Sequence, residues 1–81
     1  MKVVVKLYSG HRKIVGKNTI TVTLLPGATI DNLLDELIKC YPQLAEVLGY
    51  TTISVNLHQV KNDTRLNEGD SVSLFPHIGG G

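Results

Sequence analysis

Three consecutive glycines, Gly79-Gly80-Gly81, close the chain and follow its last apolar segment almost directly. Glycine has no side chain to bury and loses the most conformational freedom on folding, so a glycine run at this position adds little to stability. An unbranched backbone can enter a narrow channel and deliver one group, the α-carboxyl of Gly81, to chemistry that occurs in another protein. The glycines therefore predict that the Gly81 carboxyl is the functional group of the protein.

A carboxylate is a poor electrophile at neutral pH, so the Gly81 carboxyl must be activated before its oxygen is displaced. The six residues from Pro76 to Gly81 extend to about 20 Å at ~3.3–3.6 Å per residue, enough to thread into the buried site of a partner. The residues expected to contact a partner along this tail are Phe75, Pro76, His77, Ile78, Gly79 and Gly80. Phe75 has two interpretations, as the last aromatic residue of the core or as an exposed anchor beside the entering tail.

The other reactive side chains form no catalytic constellation. His11, His58 and His77 are scattered singly, with no carboxylate or cysteine at metal-ligand spacing, so we expect surface positions and no metal site. Cys40 shares one side of a predicted helix with the leucines, which is typical of a small core residue. The chain is therefore expected to bind no cofactor and to supply no catalytic machinery of its own.

Size and charge exclude several classes of function. The 81 residues fit one small domain, and eight basic against seven acidic residues give a net charge of +1, which indicates neither nucleic-acid nor membrane binding. One cysteine cannot form an internal disulfide, and the first residues do not resemble a secretion signal. A cytoplasmic location is the expectation. No sequence feature fixes self-association, so the isolated domain is expected to be monomeric.

Period-two patterns predict strands in the first third of the chain. Alternating β-branched residues predict a strand from Lys2 to Tyr8, and residues 9–18 break the pattern and predict a loop. Alternation returns over residues 19–24, where three threonines share one face and three aliphatic residues share the other.

The middle of the chain predicts one amphipathic helix. Apolar residues recur at helical spacing from Ile30 to Cys40, behind a capping residue at Thr29. Pro42 ends this helix, since the residue before proline avoids helical geometry. Residues 43–48 are expected to form one further turn, with Gly49 as a left-handed cap.

The last third returns to strands. Residues 53–57 alternate, a short segment surrounds Val60, and turns are expected at residues 62–63 and 66–70 before a final strand that Phe75-Pro76 ends. The order β-β-α-β-β-β predicts an α+β fold in which one main helix packs across one face of a mixed sheet, with the first and last strands adjacent at its centre. This is the ubiquitin-like β-grasp. Residues 1–75 would form the domain and residues 76–81 a flexible tail.

From Ser54 onward the chain resembles a known family, the MoaD sulfur carriers of molybdopterin synthase. The residues that stand in the order this family shows are Val55-Asn56, Leu66, Gly69-Asp70, Val72, Leu74, Phe75-Pro76 and Gly80-Gly81. There are two departures: His77 replaces a common second proline, and Gly79 replaces a small residue such as serine. Thiamine sulfur carriers (ThiS) and ubiquitin-like protein modifiers share the fold and the Gly-Gly tail.

The resemblance implies a carrier that other proteins activate. A MoeB/E1-like adenylating enzyme would use ATP to convert the Gly81 carboxylate to an acyl-adenylate, and a sulfur donor would replace the nucleotide to leave a thiocarboxylate. The tail would then enter a MoaE-like large subunit and donate sulfur during molybdenum or tungsten cofactor biosynthesis. Three alternatives stay open: a protein modifier joined through Gly81 to lysines, a thiamine-pathway carrier, and an interaction module whose tail has no role.

Overall fold

The computed structural model describes residues 1–76. The strands are β1 (Lys2–Leu7), β2 (Thr19–Thr23), β3 (Thr51–Val55), β4 (His58–Gln59) and β5 (Ser71–Pro76). The helices are α1 (Ser9–Val15) and α2 (Ile30–Cys40), and two 3₁₀ segments, Pro42–Glu46 and Leu48–Tyr50, follow α2.

One mixed sheet contains these strands in the order β2-β1-β5-β3-β4. β1 and β5 run parallel at the centre, and the other neighbouring pairs are antiparallel. α2 packs across one face and buries its apolar stripe there. The predicted α+β fold, a ubiquitin-like β-grasp with its first and last strands adjacent, is confirmed.

The core lies between α2 and one face of the central strands. Alternation along β1 and β5 sends every second side chain to this face, as strand geometry requires. The fully or almost fully buried residues of the helix and the two central strands are Val3, Val5, Leu7, Ile30, Leu33, Leu37, Val72 and Leu74.

α2 begins and ends where the sequence predicts. The Thr29 hydroxyl accepts a hydrogen bond from the Asn32 amide at 3.3 Å, and the Asn32 side-chain oxygen accepts one from the Thr29 amide at 2.9 Å. This reciprocal capping box satisfies two amides that the first turn leaves unpaired. At the other end Tyr41 terminates the helix directly before Pro42.

The loop predicted for residues 9–18 is wrong in its first half, because residues 9–15 form α1. The helix lacks a side-chain cap at its start, and Gly16 closes it with φ of +82° and a 2.7 Å hydrogen bond to the Arg12 carbonyl. Ile14 and Val15 pack against the core. Burial of this short apolar face stabilises a helix that has no strong local signal.

Three further positions correct the sequence interpretation. His11 is buried rather than exposed, because α1 turns it inward. Cys40 is exposed, because Tyr41 continues the apolar stripe of α2 and packs against the core in its place. Gly49 is not a left-handed cap: it lies inside the second 3₁₀ segment, and the fully buried Leu44 holds the preceding segment against the core.

A buried carboxylate sets the start of β5. Asp70 accepts hydrogen bonds from the Asn67 amide at 2.8 Å and from the Asn56 side chain at 3.1 Å, while the Asn56 side-chain oxygen accepts the Ser71 amide at 3.0 Å. Gly69 has φ of +81° and donates its amide to the Lys2 carbonyl at 2.8 Å. These bonds join the turn before β5 to the β3–β4 turn and to β1, so they fix how β5 enters the sheet.

Candidate functional site

β5 delivers the chain to the tail. Its last two residues pair only with β3, as Phe75 with Thr52 and Pro76 with Thr51, because β1 ends opposite Leu74. A proline has no amide to donate, and it is tolerated where a strand has a neighbour on one side only. β5 therefore extends through Pro76, the residue at which the predicted tail begins.

Two of the predicted site residues, Phe75 and Pro76, are described by the structure. The predicted tail residues His77, Ile78, Gly79, Gly80 and Gly81 lie outside the described residues.

Phe75 lies on the face of the sheet opposite α2. Val72 and Leu74 are fully buried toward the helix, so the alternating Ser71, Ser73 and Phe75 point the other way. Phe75 is half-buried there and makes an edge-to-face contact with Tyr8, with ring centroids 6.1 Å apart and an interplanar angle of 81°. The open question about Phe75 is thereby answered: it belongs to the open face rather than to the main core.

Phe75 and Tyr8 border a shallow depression of about 400 Å³. Its lining residues, here called the exit patch, are Tyr8, Ser9, Ser54, Leu57, Ser73, Phe75 and Pro76. None of these side chains is charged at neutral pH, so a partner that covers the patch removes no ion from water. The patch includes Pro76, which is the last described residue and the first residue of the predicted tail, so the patch is continuous with the predicted site.

Leu57 is the most exposed large apolar residue of the exit patch. It was predicted within a strand, but it forms a tight turn with Asn56 between β3 and β4, and 94% of it is accessible to solvent. Asn56 has φ of +50° and Leu57 has φ of +75°. Such a backbone costs a residue with a Cβ about 1 kcal/mol, which a glycine would avoid. Leu57 gains neither burial nor backbone relaxation within residues 1–76.

His11 supports the opposite end of β3, next to Pro76. Its Nε2 lies 2.6 Å from the Thr51 hydroxyl, which donates its only proton to the Val47 carbonyl at 2.8 Å. Nε2 must therefore carry a proton and donate to Thr51. Nδ1 is buried and has no hydrogen-bond partner within residues 1–76. Burial is the larger influence on His11 and lowers its pKa below the ordinary value of 6.5, against a smaller raising effect of the nearby Tyr8 backbone.

We expect this histidine to make stability depend on pH. Because its pKa is lower in the folded chain than in the unfolded chain, the unfolded chain binds the extra proton more readily. The contribution of the neutral His11 ring to the free energy of unfolding should be fully present above pH 6.5. It should be lost as the pH falls from 6.5 through the pKa that His11 has in the folded chain. Thermal melting at about pH 7.5 and pH 5 should therefore show a larger decrease for the wild type than for His11→Gln.

Lys13→Gln removes an exposed charge from the same helix and is the control, since it should keep the wild-type difference between the two pH values. An equal decrease in the wild type and in His11→Gln would contradict the assignment.

The remaining histidine, cysteine and acidic side chains of residues 1–76 do not form a metal site. No three His, Cys, Asp or Glu side chains of this region come together as metal ligands. Of the acidic residues along α2, Glu36 forms an exposed ion pair with Lys39 at 3.7 Å, which is typical of a solvated helix face. Over the same residues, no helix has the length and apolar character needed to span a membrane.

Comparison with known proteins assigns the family. The model of the ThiS family matches residues 5–81. The chain belongs to the ThiS family.

Individual relatives of this ThiS-family chain carry more specific names. The molybdopterin synthase sulfur carrier subunit of Dictyostelium discoideum is 28% identical over 78 residues, which are 93% of this chain and 91% of the relative. The crystal structure of SAMP1 from Haloferax volcanii is similar with a TM-score of 0.87 at 25% identity, and all of both chains is covered. Subunits 1 and 2 of a molybdopterin-converting factor from Helicobacter pylori form a complex that contains a chain with a TM-score of 0.71, 26% identity and full coverage of both chains.

Sequence reasoning missed five members of the exit patch: Tyr8, Ser9, Ser54, Leu57 and Ser73. Tyr8 closes a strand pattern and gives no sign of the face it will occupy. Leu57 fits the period of two, and only the adjacent Asn56, a residue that tolerates left-handed geometry, indicates a turn.

Proposed function

We propose that this chain is the sulfur carrier subunit of a molybdopterin synthase. The observation that carries the proposal is the match, over nearly the whole chain, to a relative with that name. The exit patch supports it, because an uncharged apolar surface that reaches the last strand residue gives a large subunit something to bind while the tail enters its active site. The Helicobacter pylori complex is a precedent for such a two-subunit assembly.

The chemistry begins at the Gly81 carboxylate. An oxygen of the carboxylate attacks the α-phosphate of ATP on a separate adenylating enzyme, and pyrophosphate leaves. Hydrosulfide supplied by a donor then attacks the acyl carbon, AMP leaves with the former carboxylate oxygen, and the proton of the new thioacid passes to solvent. The product is a thiocarboxylate, whose sulfur displaces an oxygen substituent of the cyclic pterin precursor in the large subunit. Water then cleaves the bond between the acyl carbon and the transferred sulfur, which regenerates the Gly81 carboxylate. In this scheme the chain contributes a reactive end and a docking surface, and the partners contribute the catalytic groups.

Reconstitution with a MoaE-like large subunit tests this function. The chain prepared with a C-terminal thiocarboxylate should convert the cyclic pterin precursor to molybdopterin, in proportion to the carrier supplied. The same chain with an ordinary carboxylate is the control and should yield none. Absence of product from the thiocarboxylated chain, with a large subunit that is active toward its own carrier, would refute the proposal.

A protein modifier is the second candidate, and the similarity to SAMP1, a small archaeal modifier protein, favours it. Its first chemical step would be the same adenylation. The two functions diverge afterwards, because a modifier transfers the Gly81 acyl group to a lysine amine and appears in conjugates of higher mass. Conjugates that survive denaturation and require Gly81 would support this second function.

A further inference from the structure

Among residues 1–76, the sheet has one long edge without a neighbouring strand, the outer side of β2. The other edge is formed by β4, which has only two residues. Natural proteins protect edge strands with proline, lysine, bulges or very short strands. β2 uses none of these devices: its sequence is Thr-Ile-Thr-Val-Thr, with a β-branched residue at every position. An edge of this kind readily pairs with another strand.

The register of β1 and β2 identifies which backbone groups face outward. Met1 and Leu24 exchange two hydrogen bonds, of 2.7 and 2.8 Å. Hydrogen-bonded pairs alternate along an antiparallel ladder, so Val3 pairs in the same way with Val22. The alternate residues of β2 are Thr19, Thr21 and Thr23, and their amides and carbonyls point away from β1.

The apolar side chains of β2 are incompletely covered. Ile20 and Val22 point toward α2 and remain half-buried, beside two adjoining hollows of about 480 and 380 Å³ between β2 and α2. The charged residues along these hollows are of both signs: Lys17, Asp35, Glu36 and Lys39. Two cations and two anions give no net attraction for a uniformly charged partner, whereas a surface of mixed sign can complement a copy of itself.

We propose that the β2 edge is a self-association surface, on which a second copy of this chain adds its own β2 in antiparallel orientation. The sequence Thr-Ile-Thr-Val-Thr has the same order of threonine and aliphatic residues in both directions from Thr21. A two-fold axis at Thr21 therefore places threonine opposite threonine and an aliphatic residue opposite an aliphatic residue. In this register Thr21 faces its counterpart, and Thr19 faces Thr23 of the second copy. The outward groups of the three threonines then form about six hydrogen bonds, and the two sheets become one.

This dimer leaves the proposed carrier function intact. β1 and β5 separate β2 from β3, and the exit patch lies around the end of β5 and the β3–β4 turn. Each copy therefore keeps its exit patch and its tail free for a large subunit. The proposed dimer is inferred from the geometry and side chains of the β2 edge. Its test is therefore independent of any test of sulfur transfer.

Sedimentation velocity over a range of concentrations, with wild type and two variants, tests the proposal. Thr21→Lys places two ammonium groups beside the axis and should raise the dimer dissociation constant at least about tenfold. Thr21→Val keeps the shape and β propensity of the residue and should preserve the dimer. Circular dichroism and melting confirm that both variants fold. A wild type that stays monomeric up to millimolar concentration, or a Thr21→Lys dimer as strong as the wild type, would overturn the proposal.

Disulfide trapping tests the register itself. In a Cys40→Ser background, Thr21→Cys should form a disulfide-linked dimer on mild oxidation, because hydrogen-bonded partners have Cα atoms about 5.5 Å apart. Thr19→Cys is the matched control: its two copies would lie about 14 Å apart along the strands and should not link. Equal linkage in the two variants would show random collision and contradict the register.

Discussion

Deletion of Gly81 is expected to reduce adenylation of this chain by at least ~10²-fold and to leave its melting temperature unchanged. The deletion moves the terminal carboxylate back by one residue, about 3.5 Å, which takes it out of reach of the α-phosphate in a site shaped for the full tail. The buried core residues of the described region all precede Phe75, so folding should not depend on Gly81. Pyrophosphate release by the adenylating enzyme and thermal melting are the two measurements.

Gly79→Ser is the matched control for the tail. Serine at this position follows the pattern of the family that the chain resembles, and it leaves the distance from Pro76 to the terminal carboxylate unchanged. Adenylation should therefore stay close to the wild-type rate. Full adenylation of the Gly81 deletion variant would contradict the role assigned to the carboxylate.

Substitutions in the exit patch should give the second large effect, on affinity for the large subunit. Phe75→Ala removes an aromatic anchor and should raise the dissociation constant about 30-fold, which corresponds to ~2 kcal/mol. It also removes the edge-to-face contact with Tyr8, so we expect a loss of about 1 kcal/mol in the free energy of unfolding.

Leu57→Gly separates binding from stability. Loss of the exposed side chain should weaken binding of the large subunit about tenfold, whereas relief of the left-handed backbone should raise the free energy of unfolding by about 1 kcal/mol. Calorimetric titration and denaturant unfolding measure the two effects. Leu25→Ser is the control, because Leu25 is also highly exposed but lies in the β2–α2 loop, outside the exit patch. Unchanged binding by both patch variants would show that the large subunit uses another surface.

The parts of the fold that sequence reasoning predicted are those with strong local signals. α2 has a capping threonine, a regular apolar stripe and a proline after its end, and each signal is visible without tertiary structure. The pairing of β1 with β5 followed from the economy of burying two apolar faces under one helix. The turn at Gly69-Asp70 was predicted from its residues, but the role of the Asp70 carboxylate in joining two turns requires the structure.

The parts that failed depend on packing between distant segments. α1 has no cap, and its stability comes from Ile14, Val15 and the inward-turned His11, which meets Thr51 forty residues later in the chain. The turn at Leu57 could not be predicted, because its positive φ is usually marked in a sequence by glycine and the residue here is leucine. The exit patch could not be assembled from sequence for the same reason, since Tyr8, Leu57 and Phe75 come from three separate segments.

The central claim is that the carboxyl of Gly81 carries sulfur, and the intact mass of the protein isolated from its own cells tests it most directly. The account predicts a fraction of the protein heavier by the difference between one sulfur and one oxygen atom. The added mass should lie on the C-terminal peptide, and a thiol-alkylating reagent should raise the mass of that peptide further by one alkyl group. Protein found only at its unmodified mass or joined to lysines of other proteins, under conditions in which the molybdenum or tungsten cofactor is being made, would contradict it.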